Sequence, residues 1–235
     1  MNGRVANSKR AGVAHVASVV YLVGGDWNGE EALEDLLRGA CLDVLRFRSA
    51  QEFLQHQRSD TVACLILDLE LPDASGLDLQ EQICQESGPP VIFITRLRDV
   101  ECTVRAMKAG AIEFFTKPVK EAALLAAVDA AFIEHRRLRQ RNARLTTLQQ
   151  RFNLLTPRER EVFPLVISGL RNKQAAWRLG IREVTLQVHR GQIMRKMAAT
   201  SFAELVRMGD QLNISVPPPA PTSQKAPMER GLALA

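Results

Sequence analysis

The chain has 235 residues, of which 46% are hydrophobic and 24% charged, and it carries a formal net charge of +5. That length supports one large core or two small ones, and that composition excludes an intrinsically disordered chain. No apolar run approaches the roughly 18 residues of a membrane span, and the basic N-terminal stretch lacks an apolar stretch with a small-residue cleavage site, so a cytoplasmic protein is expected. The charge is uneven: residues 134–212 hold 16 Lys/Arg against 6 Asp/Glu, which leaves the remainder acidic. A basic back half and an acidic front half imply that only the back meets a polyanion. Cys41, Cys64, Cys84 and Cys102 stand singly among apolar neighbours with no C-x-x-C pair, and are expected to be buried reduced thiols rather than metal or redox groups.

From residue 18 onward, apolar runs at 18–23, 42–47, 63–68, 90–95 and 111–116 read as strands, with helical patterns between them near 29–39, 50–57, 76–86 and 100–109. Such alternation predicts a parallel sheet with helices on both faces, here a doubly wound, flavodoxin-like α/β domain over residues 18–134. Residues 1–17 are expected to be a disordered tail.

No Gly or Pro interrupts the sequence from Val119 to Leu155, so one long helix or two nearly continuous ones follow, with residues 135–153 as a linker. Leu138, Leu145, Leu148, Phe152 and Leu155 recur along it at steps that permit a short coiled-coil seam between two copies, although Glu134 and Arg141 fall on the same stripe. A solvated helix fits the pattern equally well.

Residues 154–213 read as a third unit, all-α. Thr156-Pro157-Arg158-Glu159 has the form of a helix start, with Thr156 as N-cap, Pro157 in the first turn and Glu159 closing a capping box. Gly169 and Gly180 stand where helices should stop, and four short helices result. Pro164 should kink the first of them. Residues 214–235 are rich in Pro and small polar residues and are expected to be a disordered tail.

In an open parallel sheet, ligands bind beyond the carboxyl ends of the strands. Those ends supply Gly24, Gly25 and Asp26 after the first strand, Asp68 at the third, Thr95 at the fourth and Lys117 after the fifth. Gly24 followed by Gly29 also raises a dinucleotide-binding loop with Asp43 as ribose contact. Asp26, however, occupies the middle glycine position and would repel a pyrophosphate, so an enzyme of that kind is disfavoured.

With Asp68 in "LILDLELPDASGLDL", Thr95 in "VIFIT", Phe114 and Lys117-Pro118 in "AMKAGAIEFFTKP", the front half resembles the receiver domain of two-component response regulators. The resemblance implies Asp68 as the phosphoacceptor position, Thr95 and Lys117 as phosphoryl contacts, Phe114 as the switch aromatic and a histidine kinase as partner. The family holds Mg2+ with two acidic residues after the first strand, where this chain has Gly24 and Gly25. Glycine offers a hard cation only its backbone, and phosphoryl transfer depends on charge neutralisation, so the expectation is an atypical receiver without a metal cofactor that works independently of phosphorylation. The alternative is an ordinary phosphorelay receiver with a weak Mg2+ site rebuilt near Asp26 and Asp68, with Glu70 beside it.

The segments "LTPREREV", "NKQAAWRLGI" and "VTLQVHRGQIMRKM" resemble the helix-turn-helix DNA-binding domain of the LuxR, NarL and FixJ type. The whole chain is thus similar to FixJ-type transcriptional regulators, which implies double-stranded DNA as ligand, a homodimer on DNA, RNA polymerase as a further partner and no enzymatic activity. Residues 183–197 would form the recognition helix, with Leu186, Ile193 and Met197 facing the core. Thr185, Gln187, Val188 and Arg190 would lie within reach of base edges, and Lys173, Arg195 and Lys196 would lie near phosphates. Trp177 replaces a small residue and requires an exposed face, and Arg182 stands where a Ser or Thr cap is usual.

Overall fold

The structure is a computed structural model that describes residues 18–24, 31–58, 60–97 and 99–215; both expected tails lie outside these, except for residues 214 and 215. The chain divides into two compact units, residues 1–140 and 141–235. Among the described residues no helix is long and apolar enough to cross a membrane.

The first unit is built on five parallel strands, β1 (Ser18–Val23), β2 (Asp43–Phe47), β3 (Val62–Leu67), β4 (Val91–Thr95) and β5 (Glu113–Thr116), in the order β2-β1-β3-β4-β5. Between them run α1 (Glu31–Gly39), α2 (Ala50–Gln55), α3 (Gly76–Gln85) and α4 (Val100–Lys108). The central strands are apolar without interruption because both faces are covered. Val19, Tyr21 and Val23 of β1 share a core with Phe53, Leu77, Ile83 and Ala106 from α2, α3 and α4. Val20 and Leu22, pointing the other way by the two-residue period of a strand, pack with Leu37 of α1 and Leu124, Val128 and Phe132 of the next helix. The order reverses between β1 and β3, which opens a crevice at their carboxyl ends.

That next helix, α5 (Glu121–Asn153), is a single run of 33 residues, the first of the two forms that the absence of Gly and Pro allows. Its use differs from the expected linker. His135 is buried, and its Nδ1 accepts the Ala63 N–H at 2.8 Å, while the Arg139 guanidinium donates to the Asp60 carbonyl at 2.9 Å. Residues up to 140 therefore belong to the first unit. Burial and the nearby Arg139 charge depress the His135 pKa.

The second unit comprises the rest of α5 with α6 (Pro157–Ile167), α7 (Asn172–Arg178), α8 (Glu183–Met197) and α9 (Phe202–Gln211). Leu148, Leu155, Val162, Phe163, Leu186, Ile193, Met197 and Leu205 form its core, and Phe152 packs edge-on against Phe163 at 5.7 Å. This corrects the seam reading: Leu148, Phe152 and Leu155 are used within one chain's own core. The Thr156–Glu159 capping box forms, with Thr156 N–H donating to Glu159 at 2.7 Å and Glu159 N–H donating to Thr156 at 3.3 Å. Pro164 lies inside α6, which continues through it to Ile167. Gly169 and Gly180 end helices at φ +76° and +65°, a backbone region that favours glycine. Order extends slightly into the expected tail, since Ile214 N–H bonds the Gly209 carbonyl at 3.1 Å.

The thiol expectation needs correction. Cys64 is buried and its pKa is raised by desolvation, but Cys41 and Cys84 are exposed and Cys102 is half-buried. Each of the exposed pair occupies the polar end of a helix or its turn, where an apolar neighbourhood in sequence does not become burial in space.

Candidate functional site

At the carboxyl end of the sheet the backbone fixes three side chains. Asp68 N–H bonds the Val23 carbonyl at 2.9 Å, which continues the β1–β3 pairing one residue past the strand, and Lys117 N–H bonds the Thr95 carbonyl at 2.9 Å beside β4. The Lys117 ammonium then meets the Asp68 carboxylate at 3.2 Å, with the two side chains only 11% and 16% exposed. The second Asp68 oxygen accepts the Glu70 N–H at 3.4 Å. Thr95 is buried and its hydroxyl accepts the Leu97 N–H at 3.2 Å. Phe114, half-buried on β5, packs on Phe93 at 5.8 Å. A cavity of about 540 Å³, lined by Leu33, Leu36, Ile94, Val119 and Leu124 among others, gives Lys117 an apolar flank.

The loop that carries Asp68 is anchored twice. Gly76 opens α3 so close to it that a Cβ there would lie 2.4 Å from the Asp68 carbonyl oxygen, and Gly76 N–H bonds the Leu69 carbonyl at 2.9 Å. Asp73 reaches across to the start of α2 and accepts the Ala50 and Gln51 N–H groups at 3.0 and 2.9 Å. The Gln51 bond, above all, holds the Asp73 carboxyl below its ordinary value. Neither anchor was singled out in the sequence; the Ser-Gly pair ahead of an apolar helix and the aspartate within a turn were the available signals.

Of the expected crevice residues, the structure brings Asp68, Thr95 and Lys117 together at the strand ends and leaves the Glu70 side chain in solvent. Gly24 is buried and its N–H bonds the Phe47 carbonyl at 3.1 Å, while Gly25 and Asp26 lie outside the described residues. Among the described residues, no group of three His, Cys, Asp or Glu side chains could hold a metal ion. A divalent cation of the family's kind wants several anionic oxygens. Of the crevice residues described, Asp68 offers one carboxylate, already opposed by the Lys117 ammonium.

The second candidate surface is α8. Its buried residues Leu186, Ile193 and Met197 define one face, and the opposite face presents Val184, Val188 and Arg195 in line, with Val184 70% and Val188 59% exposed. Thr185 and Gln187 are exposed beside them, as is Lys173 on α7. Such polar and small apolar side chains on a helix of 15 residues suit a major groove. Two expected contacts have other engagements. The Arg190 guanidinium stacks over Phe202 at 4.5 Å and reaches the Asn172 side chain at 3.4 Å. Lys196 donates to the buried Glu159 at 2.6 Å. Burial alone would raise the Glu159 pKa, but Lys196 and Thr156 outweigh it and hold the carboxyl below its ordinary range. Both cations are bonded within the domain because their helical positions, next to the core face, point them back towards α6 and α9. Arg182 caps α8 without a side-chain hydrogen bond, as its chemistry dictates.

Sequence reasoning passed over Gly191. It lies on the outward line between Val188 and Arg195, is exposed, and a Cβ built on it would meet nothing within 4 Å. A glycine inside a helix costs about 1 kcal/mol relative to alanine. Among the described residues nothing packs on that face, which lies open to solvent. The signal was present as the glycine of "VHRGQIM".

Comparison with known proteins locates both sites in families. The response regulator receiver domain model matches residues 23–129, and the model of bacterial regulatory proteins of the luxR family matches residues 153–209. Nodulation protein W of Bradyrhizobium diazoefficiens is 42% identical over 86% of this chain and 89% of its own length. Response regulator protein TodT of Pseudomonas putida is 41% identical over 88% of this chain and 93% of its own. The solved structure of response regulator StyR is 44% identical, covers 83% of this chain and 99% of its own, and superposes with a TM-score of 0.67.

Proposed function

Because the chain belongs to the FixJ-type response regulators, a receiver followed by a LuxR-type helix-turn-helix domain, it is a DNA-binding transcriptional regulator and not an enzyme, and we propose that it binds its operators without phosphorylation of Asp68. The Asp68–Lys117 ion pair carries this reading. In a metal-assisted receiver those two side chains would face an ion and an incoming phosphoryl group; here they neutralise each other, and Gly24 contributes only backbone beside them. Phosphoryl transfer relies on positioning and electrostatic neutralisation, so a crevice with too few anionic oxygens for a divalent ion loses most of its rate.

On DNA, α8 enters the major groove with its outward line of Val184, Val188, Gly191 and Arg195. Gln187 offers an adenine edge both a donor and an acceptor, and Val188 meets a thymine methyl. Lys173 and Arg195 contact phosphates and add affinity without sequence information. Two copies bind half-sites one helical turn apart, in the cytoplasm, where RNA polymerase is the partner that reads the outcome.

The test is a gel-shift titration of the full chain across a salt series, with and without acetyl phosphate and Mg2+. The expected result is a steep salt dependence and the same affinity in both arms. Binding that tightens only after acetyl phosphate treatment, and fails to do so in Asp68→Ala, would favour a conventional phosphorelay receiver with a rebuilt metal site.

A further inference from the structure

The short helix α7 buries Ala175 and Ala176 and turns Lys173 and Trp177 outward, four residues apart and side by side on its opposite face. Trp177 is 80% exposed. An indole of this size normally buries most of its area, and the core of the second unit closes on Leu, Ile, Val, Phe, Met and Ala side chains without it. Trp177 therefore adds nothing to the packing of its own domain. Its surroundings state what it can meet. Residues 172–178 contain no acid, Lys173 shares its face, and the exposed Arg171 and Arg182 flank the helix on either side. A large apolar plate set among exposed cations is complementary to an apolar surface that lies among anions, and deoxyribose between phosphates has that composition.

We propose that Trp177 is a sugar–phosphate contact: the indole lies against the deoxyribose of one strand at the edge of the groove that α8 occupies, and its Nε1–H, which can only donate, bonds a phosphate oxygen. Lys173 neutralises a phosphate beside it. In helix-turn-helix docking the helix before the recognition helix crosses the backbone, which is where α7 stands relative to α8. Arg190, bonded to Asn172 at the start of α7, ties the two helices into one surface. The contact is blind to base sequence and acts on affinity and orientation. It rests on the DNA-binding reading above and extends it to a residue that lies outside the recognition helix.

The experiment uses the full chain carrying Trp27→Phe, which leaves Trp177 as the one remaining tryptophan of two. Tryptophan emission and acrylamide quenching are followed while the protein is titrated with an operator duplex selected from random sequence and, separately, with an unselected duplex. Both duplexes should shift the emission and protect the indole, with midpoints equal to those of a gel shift. Trp177→Ala should weaken binding to both by roughly tenfold, the equivalent of about 1.4 kcal/mol, with an unchanged salt slope and an unchanged melting temperature. Trp177→Phe should recover part of the loss. Unaltered emission and quenching while the gel shift shows saturated binding would overturn the proposal and leave Trp177 for a protein partner. If neither duplex is shifted at low salt, the DNA-binding reading itself fails and takes the contact with it; the gel separates the two failures.

Discussion

Asp68 and Lys117 meet each other at 3.2 Å in a crevice that leaves them 16% and 11% exposed, whereas Thr185, Gln187, Val188 and Arg195 stand in solvent on α8. The first site satisfies its charges internally; the second keeps its side chains for something else. The contrast separates what a residue does for the fold from what it does for a partner. Within the second unit the same division recurs on one helix: Lys196 is bonded to Glu159, while Arg195, next to it, is exposed and its guanidinium donates to Gln192 one turn back. Changes in the crevice and behind the recognition helix should therefore move stability, and changes on the outward face should move DNA affinity.

The largest effect should follow from crowding the Asp68 loop. Gly76→Ala places a methyl 2.4 Å from a backbone oxygen that cannot rotate away, and should destabilise the receiver by about 1–3 kcal/mol in urea unfolding while leaving DNA binding to the folded fraction unchanged. Removing the internal cation is comparable: Lys196→Ala leaves the buried Glu159 with the Thr156 N–H but without its ammonium, and should cost the second unit about 1–3 kcal/mol. A Lys196 whose removal instead lowered the salt slope without loss of stability would return it to the phosphate-contacting set.

Gly191→Ala sharpens the division because its two readouts should move in opposite directions. The helix should gain about 0.5–1 kcal/mol, visible as a higher melting temperature, and the operator affinity should fall because a methyl now stands on the line that meets DNA. Equal or tighter binding would remove Gly191 from the interface. Lys173→Ala should lower the salt slope by about 0.9, the share of one phosphate, with no change in stability.

The smallest effect is one of pH. The His135 pKa lies below its ordinary value near 6.5, so as pH falls the unfolded chain takes up the proton first. The stability that neutral His135 contributes is fully present above about 6.5 and is lost as pH drops below it towards the folded value. Urea midpoints of the receiver transition should decline as pH falls below about 6.5, and His135→Asn should flatten that decline. The depressed carboxylates Asp73 and Glu159 act below the ordinary carboxylate range and do not contribute in this window.

The fold was legible in the sequence because its signals are local. Continuous apolar runs gave the strands, Thr156-Pro157-Arg158-Glu159 gave the start of α6, and Leu186, Ile193 and Met197 lie buried on α8 as helical spacing requires. The rule that ligands meet an open parallel sheet at its carboxyl ends placed Asp68, Thr95 and Lys117 at one crevice, where they are found. What escaped was set by contacts between distant segments. Nothing in the spacing of Leu148, Phe152 and Leu155 reveals that Val162 and Phe163 cover them from the same chain. Nor does the sequence show that His135 caps the Ala63 amide 72 positions earlier, or that Arg190 lies over Phe202. A basic side chain and its distant partner leave no periodic trace, which is why two cations were placed on DNA that the fold uses itself.

Whether the crevice accepts a phosphoryl group is read from intact mass after incubation of the full chain with acetyl phosphate and Mg2+. A chain whose Asp68 is held by Lys117 and whose first strand is followed by Gly24 should keep its mass and its operator affinity. A gain of one phosphoryl group that disappears in Asp68→Ala, together with tighter operator binding, would contradict it.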